Sequence, residues 1–377
     1  MTGTQPSRRV FATADIGREA LAILEKQGYA VEVHPHLEAP AHEIILAKVR
    51  DGVDALITTL RDRIDSEVFE AGRGRLRVVA QDAVGFDNID RAAANRARIP
   101  FTHTPDVLTE ATAEFAWFIL GAAARQLWAS EQLVREKQWR FWHPYHPLLG
   151  AEVTGKTVAV IGTGRIGQAF IRKSLGFEVR LLCHDPVRQD AAFVEKVERL
   201  LAEGRRSGLL RPGASIAYTD FRSALSQADF VSLHVPLLRA GECETPTYHL
   251  LNEDSLGWMR AGAWLINTSR GPVVDEAALL QALRAGRLAG AALDVYETEP
   301  LPEASGLRAS DLAERVRLYP HFASATVETR LSPDPGRGMA GRCVQALRDV
   351  LEGNYGGNPA RMPYVVNKEA FAEAGRA

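Results

Sequence analysis

The sequence predicts an α/β protein with parallel sheets, and three observations carry that prediction. Short apolar runs alternate with amphipathic stretches over most of the chain. The alternation comes in two series, parted by a long helical pattern and an aromatic, proline-broken segment. The second series opens on a glycine-rich turn between a strand pattern and a helix pattern. At 377 residues the chain is long for one core and comfortable for two domains.

Taken in order, Arg9–Ala12 reads as a strand and Arg18–Gln27 as the helix after it. Tyr29–His34, Ala55–Thr59 and Leu76–Gln81 read as further strands. This first unit ends near Pro105-Asp106. A helical pattern then runs from about Thr109 to Trp139, Ala-rich over Ala111–Arg125 and so able to pack closely on a neighbour. Trp139, Phe141, Trp142 and Tyr145 follow among prolines, too broken for a regular helix. So much aromatic surface outside a helix predicts an arm that packs on something, a second subunit being the candidate.

From Lys156 the second series begins. Its strands are Thr157–Ile161, Arg180–His184, Phe230–His234, Ala263–Asn267 and Ala291–Asp294, with a helix over Gln168–Leu175. The charged stretch Ala191–Arg211 reads as a surface helix with Phe193, Val194, Val197, Leu200 and Leu201 on its apolar face. Gly338–Glu352 is the last helical pattern, and the residues from Asn367 read as an exposed tail.

Composition excludes little but points one way. With 46% hydrophobic residues, 24% charged residues and a net charge of −2, the chain gives no electrostatic reason to expect nucleic acid or an anionic membrane as partner. Cys183, Cys243 and Cys343 are scattered, odd in number and without metal-ligand spacing, which predicts a reducing compartment, no disulfide framework and no metal. The polar stretch Met1–Arg9 lacks the apolar core of a signal peptide. No run approaches the roughly 20 apolar residues of a membrane helix. The expectation is a cytoplasmic protein.

Gly162-Thr163-Gly164-Arg165-Ile166-Gly167 fits G-x-G-x-x-G, a weak match alone but placed here between a β-branched strand and a helix. Gly162 permits the tight turn, Gly164 lets the backbone approach a pyrophosphate, and Gly167 allows close helix–strand packing. The helix start at Arg165 and Ile166 then presents free N–H groups to phosphates. Eighteen residues after Gly167, Asp185 ends the next strand. A carboxylate there can accept from adenosine ribose hydroxyls and repels a 2′-phosphate, which predicts NAD and a preference for NADH over NADPH. Arg188 opposes that preference. The plain alternative is a loop of glycines with a surface aspartate, and the flanking strands weigh against it.

Six stretches then make the chain resemble the D-isomer-specific 2-hydroxyacid dehydrogenase family over nearly its whole length. They are Val84-Gly85-Phe86-Asp87-Asn88-Ile89-Asp90, Thr104-Pro105-Asp106-Val107-Leu108-Thr109, the glycine turn, Ile266-Asn267-Thr268-Ser269-Arg270-Gly271, Leu293-Asp294-Val295-Tyr296-Glu297-Thr298-Glu299-Pro300 and Pro320-His321-Phe322-Ala323-Ser324-Ala325-Thr326. The resemblance implies two Rossmann-like domains with the active site in the interdomain cleft. It implies a discontinuous substrate domain, 1–106 with 323–377, and an NAD-binding domain over 107–322. It also implies a homodimer through the NAD-binding domain, the aromatic arm packing across it.

The reaction so implied interconverts a 2-keto acid and a D-2-hydroxy acid. It needs a held carboxylate, a polarised carbonyl and a proton source. Arg270 suits the first task, since its planar fork grips a carboxylate, although an arginine capping a strand end is the commoner case. His321 suits the third, because its unperturbed pKa lies near working pH, and it alone among the ten histidines sits in a Pro-His-x-x-Ser-Ala pattern. Glu299, directly before proline, is the residue expected to orient His321, with Glu297 as the competing choice. The resemblance implies nicotinamide contacts from Asp294, Thr268 and Ser324, adenine contacts from His234, Val235 and Pro236, and substrate contacts from Leu60 and the Val84 and Gly85 amides. His234 reads equally well as an ordinary strand-end histidine.

Phe322-Ala323 stands where the family pattern has an aliphatic residue and glycine, and a ring with a methyl there reshapes the surroundings of His321. Small acids such as glyoxylate, hydroxypyruvate or pyruvate are the expected substrates, with the Phe141-Trp142 arm leaving room for larger ones. The alternative from another class is a non-enzymatic, NAD-sensing interaction protein of corepressor type on the same fold. A relative with a C-terminal regulatory domain is disfavoured, since only ten residues follow Asn367.

Overall fold

The computed structural model describes residues 7–241 and 243–372. Residues 1–6 of the polar N-terminal stretch and 373–377 of the expected tail lie outside the described residues. The chain divides into two compact units, Met1–Leu108 with Ala325–Ala377, and Thr109–Ser324. Both are Rossmann-like, with helices on the two faces of a parallel sheet. Among the described residues no helix is long and apolar enough to cross a membrane.

The first unit holds β1 (Arg9–Ala12), β2 (Ala30–Val33), β3 (Ala55–Thr58), β4 (Val78–Gln81) and β5 (Phe101–Thr102) in the order β2-β1-β3-β4-β5. Every residue of β3 and β4 is buried, as parallel strands covered on both faces require, whereas the edge strand β2 alternates with exposed positions. The helices Arg18–Lys26 and Met339–Glu352 cover one face. His42–Arg50, Ser66–Ala71 and Arg91–Ala97 cover the other. After the last long helix the chain returns to the edge at β5, where Thr102 bridges Val365 in antiparallel sense. Asn367, expected to open an exposed tail, is instead fully buried. Its side chain accepts from Phe101 N–H at 3.0 Å and donates to Ile99 O at 3.1 Å, so it closes the sheet edge.

The second unit holds β6 (Thr157–Ile161), β7 (Arg180–His184), β8 (Ser215–Tyr218), β9 (Phe230–Leu233), β10 (Trp264–Asn267), β11 (Gly290–Leu293) and β12 (Val316–Leu318). Their order is β12-β11-β10-β9-β6-β7-β8, so the winding reverses between β6 and β9. That reversal is the topological switch point, where open parallel sheets leave a crevice at the strands' carboxyl ends. The stretch read as a surface helix is the β7-to-β8 crossover, Ala191–Arg206, started by Asp190 accepting from Phe193 N–H at 2.9 Å.

The single helical pattern expected over 109–139 is two helices, Thr109–Ala124 and Leu127–Arg135, broken at Gln126 in the left-handed region. The cause is tertiary. Ala124 O accepts from Ala151 N–H at 2.8 Å, and a Cβ on Gly150 would lie 2.4 Å from the same oxygen. The returning chain therefore takes the carbonyl that a continuous helix would use. Inside the first of these helices Trp117 stacks on Phe170 at 4.6 Å and on Phe177 at 4.7 Å, and its indole N–H donates to Phe170 O at 2.8 Å. This fixes the helix that follows the glycine turn. The aromatic arm has no regular structure, and Trp139, Phe141, Trp142 and Tyr145 are all exposed.

One carboxylate of the first unit makes stability depend on pH. Asp82 follows β4, and its Oδ1 is buried with no hydrogen-bond partner among the described residues. Burial pushes its carboxyl up to about 7, against the opposing charge of Arg330. Between about pH 4 and that value the folded state keeps a proton that the unfolded chain has lost, so stability falls as pH rises through this window. Asp82→Asn removes the slope. Thermal melts should show the variant above the parent at pH 8 and level with it near pH 4.5, and no gain at pH 8 would refute the assignment.

Candidate active site

The site residues of the second unit lie where the strands end. Gly162 leaves β6 with φ +95°, and a Cβ there would stand 2.6 Å from His234 O, so the switch point admits only glycine. A Cβ on Gly167 would lie 2.0 Å from Gly162 O, which explains the close seating of helix Arg165–Ser174 on its strand. Gly164, at the N-cap of that helix, differs. A Cβ built on it meets nothing within 4 Å, so the fold itself does not demand glycine there. Arg165 is exposed and Ile166 half-buried against the core.

Asp185 is buried and stitches two turns together. Its Oδ2 accepts from Thr163 N–H at 2.8 Å and from the Thr163 hydroxyl at 3.3 Å, and its Oδ1 from Val187 N–H at 3.0 Å and Arg188 N–H at 2.7 Å. Three of these donors are backbone amides, and the single proton of the Thr163 hydroxyl has a shorter acceptor in Arg188 O at 2.7 Å. His234 follows β9 with its ring 4.8 Å from the Phe170 ring, and its Nε2 shares a hydrogen bond of 2.9 Å with the Ser232 hydroxyl. Burial pulls its pKa down to about 3, so the ring is neutral. Its Nδ1 is buried without a partner among the described residues, as is the Thr268 hydroxyl just past β10.

Arg270 is carried by the turn that follows. Asn267 holds this turn, its side-chain amide donating to Arg270 O at 3.0 Å and its carbonyl accepting from Ser269 N–H at 3.0 Å. Gly271 lies so close to Tyr296 that a Cβ would overlap that residue's carbonyl at 1.8 Å. Arg270 therefore stands beside the segment bearing Glu299.

His321 and Glu299 form a pair, Nδ1 to Oε2 at 2.7 Å. The other oxygen of Glu299 accepts from Tyr296 N–H at 3.0 Å. Burial would raise the Glu299 carboxyl, but the His321 hydrogen bond and charge, the Tyr296 amide and the Arg270 charge outweigh it and leave the group below its ordinary range. His321 itself has φ +57°, a strained region for a residue other than glycine. Asp294 supplies the restraint. Its carbonyl accepts from His321 N–H at 2.9 Å, and its two carboxylate oxygens accept from Phe322 N–H at 2.7 Å and Ala323 N–H at 2.8 Å. Burial raises the Asp294 carboxyl, with the two amides and His321 opposing. The Phe322 ring is exposed, while Ala323 is buried and Ser324 half-buried.

Leu60, Val84 and Gly85 belong to the first unit, where one side chain ties them together. Asn88 donates to Thr59 O at 3.0 Å and to Asp62 O at 2.7 Å, and accepts from Gln81, which also reaches Gly85 O at 3.3 Å. Sequence reasoning did not single out Asn88, Gln81 or Asp62 for this. For Asn88 and Gln81 the signal was their place inside and just before the motif that carries Val84 and Gly85, and for Asp62 its place two residues after Leu60.

Unpartnered buried polar atoms at Thr268 and His234, a glycine without a packing reason and a helix start at the switch point together suit a dinucleotide. Comparison with known proteins agrees. Residues 117–323 match the family model "D-isomer specific 2-hydroxyacid dehydrogenase, NAD binding domain". A glyoxylate reductase of Thermococcus kodakarensis is 41% identical over 367 residues, covering 96% of each chain. Among solved structures, the TT0316 protein of Thermus thermophilus aligns with a TM-score of 0.78 at 37% identity over 95% of this chain and 99% of that one. An NADPH-dependent glyoxylate/hydroxypyruvate reductase of Sinorhizobium meliloti, solved with NADP and malonate, aligns at 0.73 and 27% identity over 98% and 99%.

The two glycines separate packing from ligand approach. Gly167→Ala should lower stability by about 1–3 kcal/mol through its clash. Gly164→Ala should leave the melting temperature nearly unchanged while weakening NADH about tenfold, or about 1.4 kcal/mol. Calorimetric titration beside thermal melts reads both, and unchanged NADH affinity in Gly164→Ala would remove the pyrophosphate role.

Proposed function

The chain belongs to the D-isomer-specific 2-hydroxyacid dehydrogenases, and from that premise we propose that it reduces a small 2-keto acid with NADH, with His321 as acid–base and Arg270 holding the substrate carboxylate. The observation that carries the reading is the His321–Glu299 contact of 2.7 Å, in which Glu299 stays ionised and favours imidazolium. An imidazolium is the proton donor a keto oxygen needs as it becomes an alkoxide, and the same ring takes the proton back from the hydroxyl in the reverse direction. With Nδ1 on Glu299, Nε2 is the nitrogen that moves the proton.

Arg270 offers a fork that fits a carboxylate and draws charge from the neighbouring keto oxygen. Leu60, Val84 and Gly85 are assigned to the substrate by the family pattern, the two amides to its carboxylate and the leucine to its side-chain end. For the cofactor, Gly162, Gly164, Arg165, Ile166 and Gly167 are assigned to the pyrophosphate, Asp185 to the adenosine ribose, His234, Val235 and Pro236 to the adenine side, and Thr268, Asp294 and Ser324 to the nicotinamide. When bound, the nicotinamide supplies the hydride to C2 in reduction and accepts it in oxidation. The preference for NADH over NADPH rests on the buried negative charge of Asp185, set against the exposed Arg188. Glyoxylate and hydroxypyruvate head the substrate class because relatives acting on them align over most of the chain.

Oxidation of NADH followed at 340 nm against a panel of 2-keto acids, with NADPH in parallel, tests the class and the cofactor together. His321→Ala should cost about two to four orders of magnitude in turnover while NADH still binds. Near-normal turnover in that variant would end the acid–base assignment. The exposed Trp139, Phe141, Trp142 and Tyr145 support a homodimer through the NAD-binding unit. Light scattering should give the mass of two chains, shifting toward one in Phe141→Ala/Trp142→Ala, and a monomeric parent would refute the interface.

A further inference from the structure

A second histidine–carboxylate pair lies beside the first, and the chemistry above makes no use of it. His249 Nε2 is 2.9 Å from Glu297 Oε1, and its Nδ1 faces Asp275 Oδ2 at 3.8 Å. The ring stacks on Tyr248 with centroids 4.0 Å apart and planes 15° from parallel, and the Arg239 guanidinium lies 5.0 Å from the Tyr248 centroid. His249 N–H donates to Pro272 O at 2.8 Å, from a backbone with φ +49°.

Glu297 is held from a second side as well. Its Oε1 accepts from Glu276 N–H at 3.2 Å, and its own N–H donates to Glu276 Oε1 at 2.7 Å. Three segments thus meet: His249 with its neighbours, the 270–276 turn, and 296–299. The second carries Arg270 and the third carries Glu299. A histidine–carboxylate pair as open to solvent as this one, 29% and 34% exposed, contributes little to stability. Its evident effect is geometric. Among the described residues the Glu299 side chain has one backbone restraint, Tyr296 N–H, apart from His321 itself. The segment is tied to the rest of the unit by the buried Tyr296, whose hydroxyl donates to Tyr319 O at 2.8 Å, and, nearer Glu299, by Glu297.

We propose that His249 is a positioning residue, which through Glu297 fixes the 296–299 segment and so keeps Glu299 on His321. The proposal rests on the reading of His321 and Glu299 as the acid–base pair. Charge alone makes the opposite prediction. The groups around His249 are Glu297, Asp275 and Glu276, with Arg239 beyond Tyr248, and those around His321 are Glu299, Asp294 and Arg270. Removing positive charge, if His249 carries any, from among these carboxylates would make a proton on His321 easier to hold. Letting Glu299 drift would make it harder.

The test is the pH dependence of kcat/KM for keto-acid reduction, whose high-pH limb reports loss of the proton from His321. His249→Leu should move that limb to lower pH by about half to one unit, a loss of about three- to tenfold above the limb and less than about twofold below it. His249→Gln, which still donates to Glu297, should restore most of the shift. Should His249→Leu not fold, His249→Asn, too short to reach Glu297, carries the same test. A limb that stays in place or moves upward overturns the role of His249. His321→Ala measured in parallel separates the two levels, because a limb that survives in it overturns the acid–base reading and the proposal with it.

Discussion

The chemistry of the second unit depends on one buried carboxylate, Asp294. It sits immediately after β11, fully shielded from solvent, where an unpaired charge would cost several kcal/mol. Backbone amides satisfy it instead: Phe322 and Ala323 donate to its two oxygens while its carbonyl takes the His321 amide. Three bonds to three successive residues leave the loop little freedom, and they hold His321 in the left-handed region, uncommon for a residue other than glycine. The residues that follow Asp294 in sequence lead to Glu299. Those it binds across space carry His321. Both partners of the 2.7 Å pair are therefore referred to the same strand end.

The parallel sheet explains why that strand end is the productive one. In a doubly wound unit every strand points its carboxyl end the same way, so β6, β7, β9, β10 and β11 deliver Gly162, Asp185, His234, Thr268 and Asp294 to one edge. Helix Arg165–Ser174 begins at that edge, and its unsatisfied N–H groups are aligned there by Trp117 packing on Phe170. The first unit is wound differently, with β1 paired to both β2 and β3, yet it follows the same rule. Leu60 and the Val84-Gly85 turn follow β3 and β4 at their carboxyl ends, and Asn88 joins them.

What was legible in the sequence follows from what each element buries. Ala55–Thr58 and Thr157–Ile161 are covered on both faces and so stand out as unbroken apolar runs. Ser215–Tyr218 and Val316–Leu318 lie at the two sheet edges, carry polar residues such as Arg317, and gave no such run. Short helices such as Ser66–Ala71 hold too few turns to show a period. The break at Gln126 and the burial of Asn367 are set by partners remote in sequence, Ala151 and Phe101, which no local pattern contains. In the site, residue types and motif order marked Arg270, Glu299 and His321. They could not reveal that Glu297 belongs to His249, that Asp185 spends its oxygens on its own turns, or that the His234 ring is buried and neutral.

Two carboxylates, Asp294 and Glu299, approach the same imidazole and act on it differently because of where they sit. Burial raises Asp294, and its oxygens are committed to amides, so it governs the position of His321 through the backbone. Glu299 is drawn below its ordinary range by His321, Tyr296 and Arg270, and it meets the ring directly. Over the pH range in which a histidine exchanges its proton, Glu299 therefore remains a carboxylate. The charge beside Nδ1 is constant, and the proton that comes and goes does so at Nε2. A carboxylate that titrated in the same range would couple its own proton to that of the histidine and spread the transition over two steps. Glu299, held low, avoids that coupling, while Asp294 acts on His321 through the backbone amides it binds.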